Sequence, residues 1–331
     1  MTKKRNRTKK PIPLVAPPST KKRQKQSNDE NKKKRNSHSQ FSNTSESLKL
    51  IRDYHTLNKR LEQNARDDGI DCEQRKQNAE KIRLEQQAMG GIEKYQQASM
   101  YGAKSSKFVC AHWVEPLLKE HIFTPSTTDP LNKIDTAIRP RILDVGAIDN
   151  QYLQYDWFDA VPIDLNAQHK SVVQADFFDY AHAHIEQHQK KKNKPFDAIV
   201  LSLVLNFQGD PRRRGDMLAL AADARLLRSG GLVYVALPSA SLDNSRYCDE
   251  DYLIQVCETL GLKVVERKRS AKLALLAFQQ TSGHAASSGF QAYNVASKTF
   301  RYTKEMSRAP AKAGDTRNNF AVMLKSSTLA R

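Results

Sequence analysis

Arg141-Ile142-Leu143-Asp144-Val145-Gly146-Ala147 is the stretch on which the reading of this chain turns. A short apolar run that ends in glycine reads as a buried strand followed by a tight turn, because glycine lets the backbone approach a ligand without a side chain in the way. Further strands are expected at Ala160–Ile163, Ser171–Gln174, Ala198–Leu203 and Leu232–Leu237, with a sixth near Leu262–Glu266. Leu273–Phe278 and Phe320–Leu324 compete for the last place. Amphipathic segments at Arg213–Arg228, ended by Gly230-Gly231, and at Cys248–Leu260, ended by Gly261, read as helices. Strands alternating with helices predict an α/β fold with a mostly parallel sheet and ligands at the C-terminal ends of its strands.

Three consecutive strand ends carry polar residues suited to a nucleotide-like ligand. Gly146 follows the first strand, and Asp164, 18 residues later, ends the second. That spacing suits a carboxylate accepting hydrogen bonds from ribose hydroxyls. Asp176 follows the third strand, placed to accept from an adenine amino group with Phe177 beside the ring. Each has a plainer reading: a glycine after a strand is often only a turn, and an Asp there often caps a helix. A dinucleotide needs three glycines to seat its pyrophosphate on a helix N-terminus, and here only Gly146 is present, followed by Asp149, which repels phosphate. S-adenosylmethionine has no phosphate and carries a sulfonium and an ammonium, which Asp144 and Asp149 suit. The residues favour the methyl donor as cofactor.

The 331 residues carry a formal net charge of +18, and residues 1–35 alone hold 14 Lys/Arg against 2 Asp/Glu. Such a segment buries too little apolar surface to offset its ordering entropy, so 1–45 reads as a disordered basic tail. It suits a nuclear or nucleolar address and a non-specific RNA arm, or serves only as a solubiliser. Residues 46–135 read as a helical lead-in. A first helix is capped at Ser45 or Ser47 and runs to about Asn64, with Leu48, Ile51, Tyr54, Leu57 and Leu61 at helical spacing. A second covers Cys72–Met89 and, after Gly90-Gly91, a third opens at Ile92–Ser99; packing is their expected role. The α/β domain fills 136–331, with a flexible insertion expected at 281–318. Its six basic residues interleaved with Phe290, Tyr293, Phe300 and Tyr302 suit stacking on single-stranded RNA.

No run nears the roughly 18 apolar residues of a membrane span, and the N-terminus lacks the apolar core of a secretory signal. Cys72, Cys110, Cys248 and Cys257 form neither a disulfide framework nor a paired zinc signature, and the nine histidines show no metal spacing. No metal and no membrane are expected, and the chain is expected to be a monomer.

Leu143-Asp144-Val145-Gly146-Ala147, Asp164-Leu165-Asn166, Ser202-Leu203-Val204-Leu205-Asn206-Phe207 and Arg214-Gly215-Asp216-Met217-Leu218 come in an order that resembles the fungal 25S rRNA adenine-N(1)-methyltransferase family. Leu237-Pro238 with Asn244-Ser245-Arg246-Tyr247, and upstream Tyr95-Gln96 with Ala98-Ser99, fit the same pattern. The family is shared with an animal S-adenosylmethionine sensor upstream of the TOR kinase. The resemblance implies a class I (Rossmann-like) S-adenosylmethionine-dependent methyltransferase with a seven-stranded sheet, and Gly146 and Asp164 on the cofactor. It implies ribosomal RNA or a pre-60S particle as partner, in the nucleus and nucleolus. The alternative is a sensor that binds the cofactor without catalysis.

Asn206 and Phe207 follow the fourth strand, where the methyl donor meets its substrate. The Asn carbonyl suits an exocyclic amine and the Phe ring suits stacking on a base; the plainer reading is a cap and a core residue. Arg212, Arg213 and Arg214 start a helix, where cations oppose the dipole, which points to RNA phosphate; the plainer reading is a solvated face. Arg246 and Tyr247 are candidates for the substrate side.

Overall fold

The computed structural model describes residues 44–65, 67, 69–105, 109–123, 139–190, 193–281, 292–307 and 317–328. The basic tail expected at 1–45 lies outside them except for Thr44 and Ser45.

Four helices precede the sheet: α1 (Thr44–Ala65), α2 (Cys72–Ala88), α3 (Gly91–Ser105) and α4 (Ala111–Phe123). The first begins ahead of the expected serine caps. Its inner face carries Ser47, Tyr54 and Leu57, whereas Leu48, expected in the apolar stripe, is 54% exposed. Asp71 caps α2 by accepting from the Gln74 N–H at 2.7 Å, and the left-handed backbone of Gly90 and Gly91 breaks it from α3. α1 is tied to α2 by Arg60–Glu85 at 2.6 Å, and to α3 by the stacked rings of Tyr54 and Tyr95.

The seven-stranded sheet comprises β1 (Arg141–Val145), β2 (Asp159–Asp164), β3 (Val173–Gln174), β4 (Phe196–Ser202), β5 (Leu227–Pro238), β6 (Leu262–Arg269) and β7 (Leu273–Gln280). Its order is β3-β2-β1-β4-β5-β7-β6. The first five strands pair in parallel, and β7 runs antiparallel between β5 and β6. Leu273–Gln280 therefore takes the last place. Its continuous buried run from Ala274 to Phe278 suits a strand covered on both faces. Phe320–Leu324 is not a strand; it joins Met306 through a single bridge at Leu324.

The connecting helices are α5 (Phe177–Gln189), α6 (Pro211–Ala221), α7 (Ser239–Asp243) and α8 (Glu250–Thr259). The helix expected to reach Arg228 stops at Ala221. Asp223 turns the chain by accepting the Arg225 N–H at 2.9 Å and pairing with its guanidinium at 2.5 Å. Gly230-Gly231 consequently lies within β5, where the register against β4 jumps from Leu227 to Leu232, and is not a helix terminator. One sheet face is covered by α4, with Trp113, Val114 and Leu118 on Ile142, Val200 and Tyr234. The other carries the larger core with α5, α6 and α8.

Residues 292–307, inside the expected flexible insertion, are packed against that larger core. They form β8 (Tyr293–Asn294) and β9 (Thr299–Phe300), joined by β10 (Ser327–Thr328). Tyr293 and Phe300 are fully buried, which removes them from any surface that could stack on RNA. Tyr293 bonds His182 Nδ1 at 2.7 Å, its carbonyl accepts from Arg225, and Tyr302 donates to Asp216 at 2.5 Å. Phe290 lies outside the described residues.

Gly215 fixes how closely the C-terminal segment approaches α6, because a Cβ there would overlap the Met323 carbonyl. That obstacle is backbone, so no rotamer change relieves it. Gly215→Ala is expected to destabilise the fold by about 1–3 kcal/mol, the scale of overpacking, read as a lower urea midpoint. An unchanged midpoint would mean that residues 317–324 are not held against this helix.

Candidate active site

Pairing across the sheet sets Val145 opposite both Ile163 and Leu201, Asp164 opposite Gln174, and Ser202 opposite Ala236. Gly146, Asp164 and Ser202 thus end adjacent strands at the point where strand order reverses, where open α/β sheets bind ligands. Gly146 is left-handed (φ 77°), and its N–H and that of Ala147 both donate to the Ile163 carbonyl, at 2.8 and 3.1 Å. A Cβ on Gly146 would overlap the Val204 side chain arriving from β4.

Asp164 accepts the Asn166 N–H on Oδ1 at 2.7 Å, which leaves Oδ2 as an acceptor. Burial raises its pKa, and the Asn166 bond opposes the rise. Asp176 caps α5 through Oδ1, taking the N–H groups of Phe178 and Asp179. Its second oxygen lies at the same strand end. Phe177, expected beside the adenine ring, has its own ring in the core at 5% exposure, packed edge-on against Phe178. What Phe177 offers a ligand is its N–H, which no carbonyl of α5 reaches. Asp144 is buried in β1, and its carboxyl is pushed up to about 8, by desolvation first and the charge of Asp149 second.

Past β4 the chain strains through Leu203 (φ 60°), then turns, with the Val204 carbonyl accepting from the Phe207 and Gln208 N–H groups. Asn206 and Phe207 sit on this turn. Asn206 Oδ1 is buried without a hydrogen-bond partner, and Phe207 is 38% exposed. Arg214, expected on RNA, is instead buried at 3% exposure: Nε donates to the carbonyls of Leu205 and Gln208, on either side of the pair, and a terminal nitrogen to Ala321. It shapes the turn from within, with its donors turned to main-chain carbonyls and not to the surface. Arg213 lies over the Phe178 ring at 4.1 Å, and Arg212 is drawn toward Asp210 at 3.7 Å with its side chain 42% exposed. Arg246 is half-buried beside Tyr247, its N–H held by the Asn318 carbonyl.

The sequence reading gave the lead-in helices no place in the site. His55 of α1 stacks on Phe207, with centroids 3.8 Å apart and planes 11° apart, and its Nε2 meets the Tyr95 hydroxyl at 3.0 Å. Burial pushes the Tyr95 hydroxyl up; a Ser99 hydrogen bond opposes this and the charge of Asp164 adds to it. The signal available was slight: His55 adjoins Tyr54 on the border of the apolar stripe.

The residues fit S-adenosylmethionine. Gly146 makes the left-handed turn that ends β1 with no side chain of its own, Asp164 keeps an acceptor for a diol, and Asp144 and Asp149 suit a cationic ligand. Among the described residues, no group of three or more His, Cys, Asp or Glu is placed to hold a metal, and no helix is long and apolar enough to cross a membrane.

Strand order and the row of strand-end residues define a class I methyltransferase fold. The family model described as 25S rRNA (adenine(2142)-N(1))-methyltransferase, Bmt2, matches residues 80–322, and the chain belongs to that family. The 25S rRNA (adenine(2142)-N(1))-methyltransferase of Saccharomyces cerevisiae is 33% identical over 119 residues, 36% of this chain and 33% of that protein. The S-adenosylmethionine sensor upstream of mTORC1 of Xenopus tropicalis is 27% identical over 176 residues, 48% and 44% of the two. The chain thus matches a third to somewhat under half of the length of these relatives. A solved O-methyltransferase family protein from Burkholderia thailandensis, 12% identical over 59% of this chain and 62% of its own, superposes with a TM-score of 0.36. That likeness adds nothing to what the strand order establishes.

Gly146→Arg is expected to abolish S-adenosylmethionine binding in calorimetry while the circular dichroism spectrum is kept. Asp164→Ala is expected to weaken binding by about 1–3 kcal/mol, the scale of losing hydrogen bonds to a charged acceptor. Unchanged affinity in either variant would move the pocket elsewhere. At pH 7, Asp144 with its carboxyl at about 8 is mostly protonated, and a cationic ligand beside it favours ionisation. Binding at pH 7 should therefore release a proton and be more exothermic in Tris than in phosphate. Equal enthalpies would place the ligand's charge away from Asp144.

Proposed function

We propose that the chain is an S-adenosylmethionine-dependent methyltransferase acting on ring nitrogen 1 of an adenine in 25S ribosomal RNA. The observation that carries the proposal is the Asn206-Phe207 turn. It presents a buried carbonyl with no partner and a part-exposed aromatic ring at the strand ends where the cofactor residues gather. The family match over 80–322 supports the substrate. Bound S-adenosylmethionine supplies an electrophilic methyl group. Asn206 Oδ1 accepts from the exocyclic amine of the adenine and so fixes its Watson–Crick edge, and Phe207 stacks on the ring. Ring nitrogen 1 already carries a lone pair, so the residues need only align it and exclude water. Nitrogen 1 lies within a Watson–Crick pair in duplex RNA, so the target is taken up unpaired or flipped.

Arg212, Arg213, Arg246 and Tyr247 are the proposed contacts to the RNA around the target. The tail, net +12 over residues 1–35, is the proposed nucleolar address and electrostatic RNA arm, and a pre-60S particle the proposed partner. The frog relatives favour a second reading, in which cofactor occupancy controls a protein partner. The two separate in cells. Large-subunit rRNA from cells lacking the gene should lose one N(1)-methyladenosine, read by reverse-transcription stops, and regain it with the wild-type chain but not with Gly146→Arg. Methylation unchanged by the deletion, with cofactor binding intact in vitro, would leave the sensor.

A further inference from the structure

His55 and Phe207 face one another as parallel rings, one from α1 and one from the turn after β4. Two buried polar atoms at this contact have no partner: Nδ1 of His55 and Oδ1 of Asn206. Native structures rarely leave such atoms unpaired; a base lying on the imidazole face cannot meet Nδ1, which is in the ring plane, so Oδ1 of Asn206 is the one the edge of such a base can satisfy. The imidazole is held in place from its other nitrogen by the Tyr95 hydroxyl at 3.0 Å, and Tyr95 is stacked on Tyr54. Burial first, and the charge of Lys59 second, lower the His55 pKa to about 4, so the ring is neutral at physiological pH.

We infer that His55 and Phe207 are the two walls of the target-base site, and that the adenine is taken up between their rings with its polar edge on Asn206 Oδ1. The inference rests on the adenine reading above and deepens it by adding a substrate wall from the helical lead-in. Insertion parts the rings by about 3.5 Å, one van der Waals layer, and exchanges one ring stack for two. A purine fits this slot because it offers two flat faces and an edge of donors and acceptors, while a single-ring base covers less of either wall. His55 belongs to α1, whose helix is joined to α2 and α3, so the base site closes only when the lead-in is seated on the α/β domain.

The test uses the full chain with S-adenosylhomocysteine bound and a uridine-flanked single-stranded RNA carrying one 2-aminopurine, whose fluorescence is quenched by stacking and whose amine sits on C2, so that it reports the two ring faces and not the Asn206 bond. Wild type should quench on titration. His55→Ala should lose the quenching and bind the RNA about tenfold more weakly, the scale of one base–aromatic stack. His55→Phe, which keeps a flat wall, should recover most of both. Cofactor affinity and the thermal midpoint are read alongside and should match wild type in His55→Phe. Wild-type quenching in His55→Ala, or tighter RNA binding by it, would overturn the inference, the latter by making His55 a plug. Absent quenching in wild type would overturn it too. Quenching that depends on His55 in a protein that methylates no rRNA would uphold the base site and count against methyl transfer alone.

Discussion

The guanidinium of Arg214 is the constraint from which the site takes its shape. A cation with 3% of its surface exposed is tolerable only when its donors are met, and these are met by main-chain carbonyls of Leu205, Gln208 and Ala321. The first two bracket Asn206 and Phe207, so the turn is held from both sides by one side chain. The third brings the C-terminal segment against α6, where Gly215 leaves room for the Met323 carbonyl and Asp216 receives Tyr302. Three successive residues thus couple the turn after β4 to parts of the chain about 90 to 110 positions away. Loss of the C-terminal segment would unseat Arg214 and, with it, the turn.

Much of this fold is legible in the sequence because the sheet is covered on both faces. Strands buried on two sides are largely apolar, and Ile142–Val145 (Asp144 excepted), Ala198–Leu201 and Leu232–Leu237 announce themselves in that way. Where the reading failed, a local rule lost to a tertiary one. Gly230-Gly231 looked like a helix terminator, but Asp223 had already ended α6 by pairing with Arg225, and the glycines serve a bulge in β5. The polar, small-residue character of 281–318 hid Tyr293 and Phe300, two isolated aromatics whose partners, His182, Arg225 and the core, lie far off in sequence.

The site divides along the same line. The placement of Gly146 and Asp164 at strand ends is legible because it is a property of the local chain. Arg214 was misread because three adjacent arginines look alike in sequence, while the fold gives them three environments: a part-exposed ion pair, an aromatic face and a carbonyl cage. His55 was invisible for another reason. Its partner Phe207 lies 152 residues away, and nothing in the periodicity of α1 marks one polar ring as facing the turn after β4 and not solvent.

The electrostatics of the pocket agree with the proposed chemistry. Methylation at nitrogen 1 places a positive charge on the purine, so a wall that carried its own positive charge would resist the reaction. Phe207 presents an electron-rich face that attracts a cation. His55 is neutral, since burial and then Lys59 hold its pKa near 4, well below the usual histidine range. A histidine there at its ordinary pKa of about 6.5 would be partly charged near neutral pH and would repel both the cofactor and the modified base. The carboxyl of Asp144 complements this: held at about 8 by desolvation and then by Asp149, it is mostly protonated at neutral pH, and a cation beside it would favour its anionic form. The site thus adds the charge of Asp144 to that of Asp149 where a cation binds, which favours a cationic ligand over an anionic nucleotide and leaves the base slot free of repulsion.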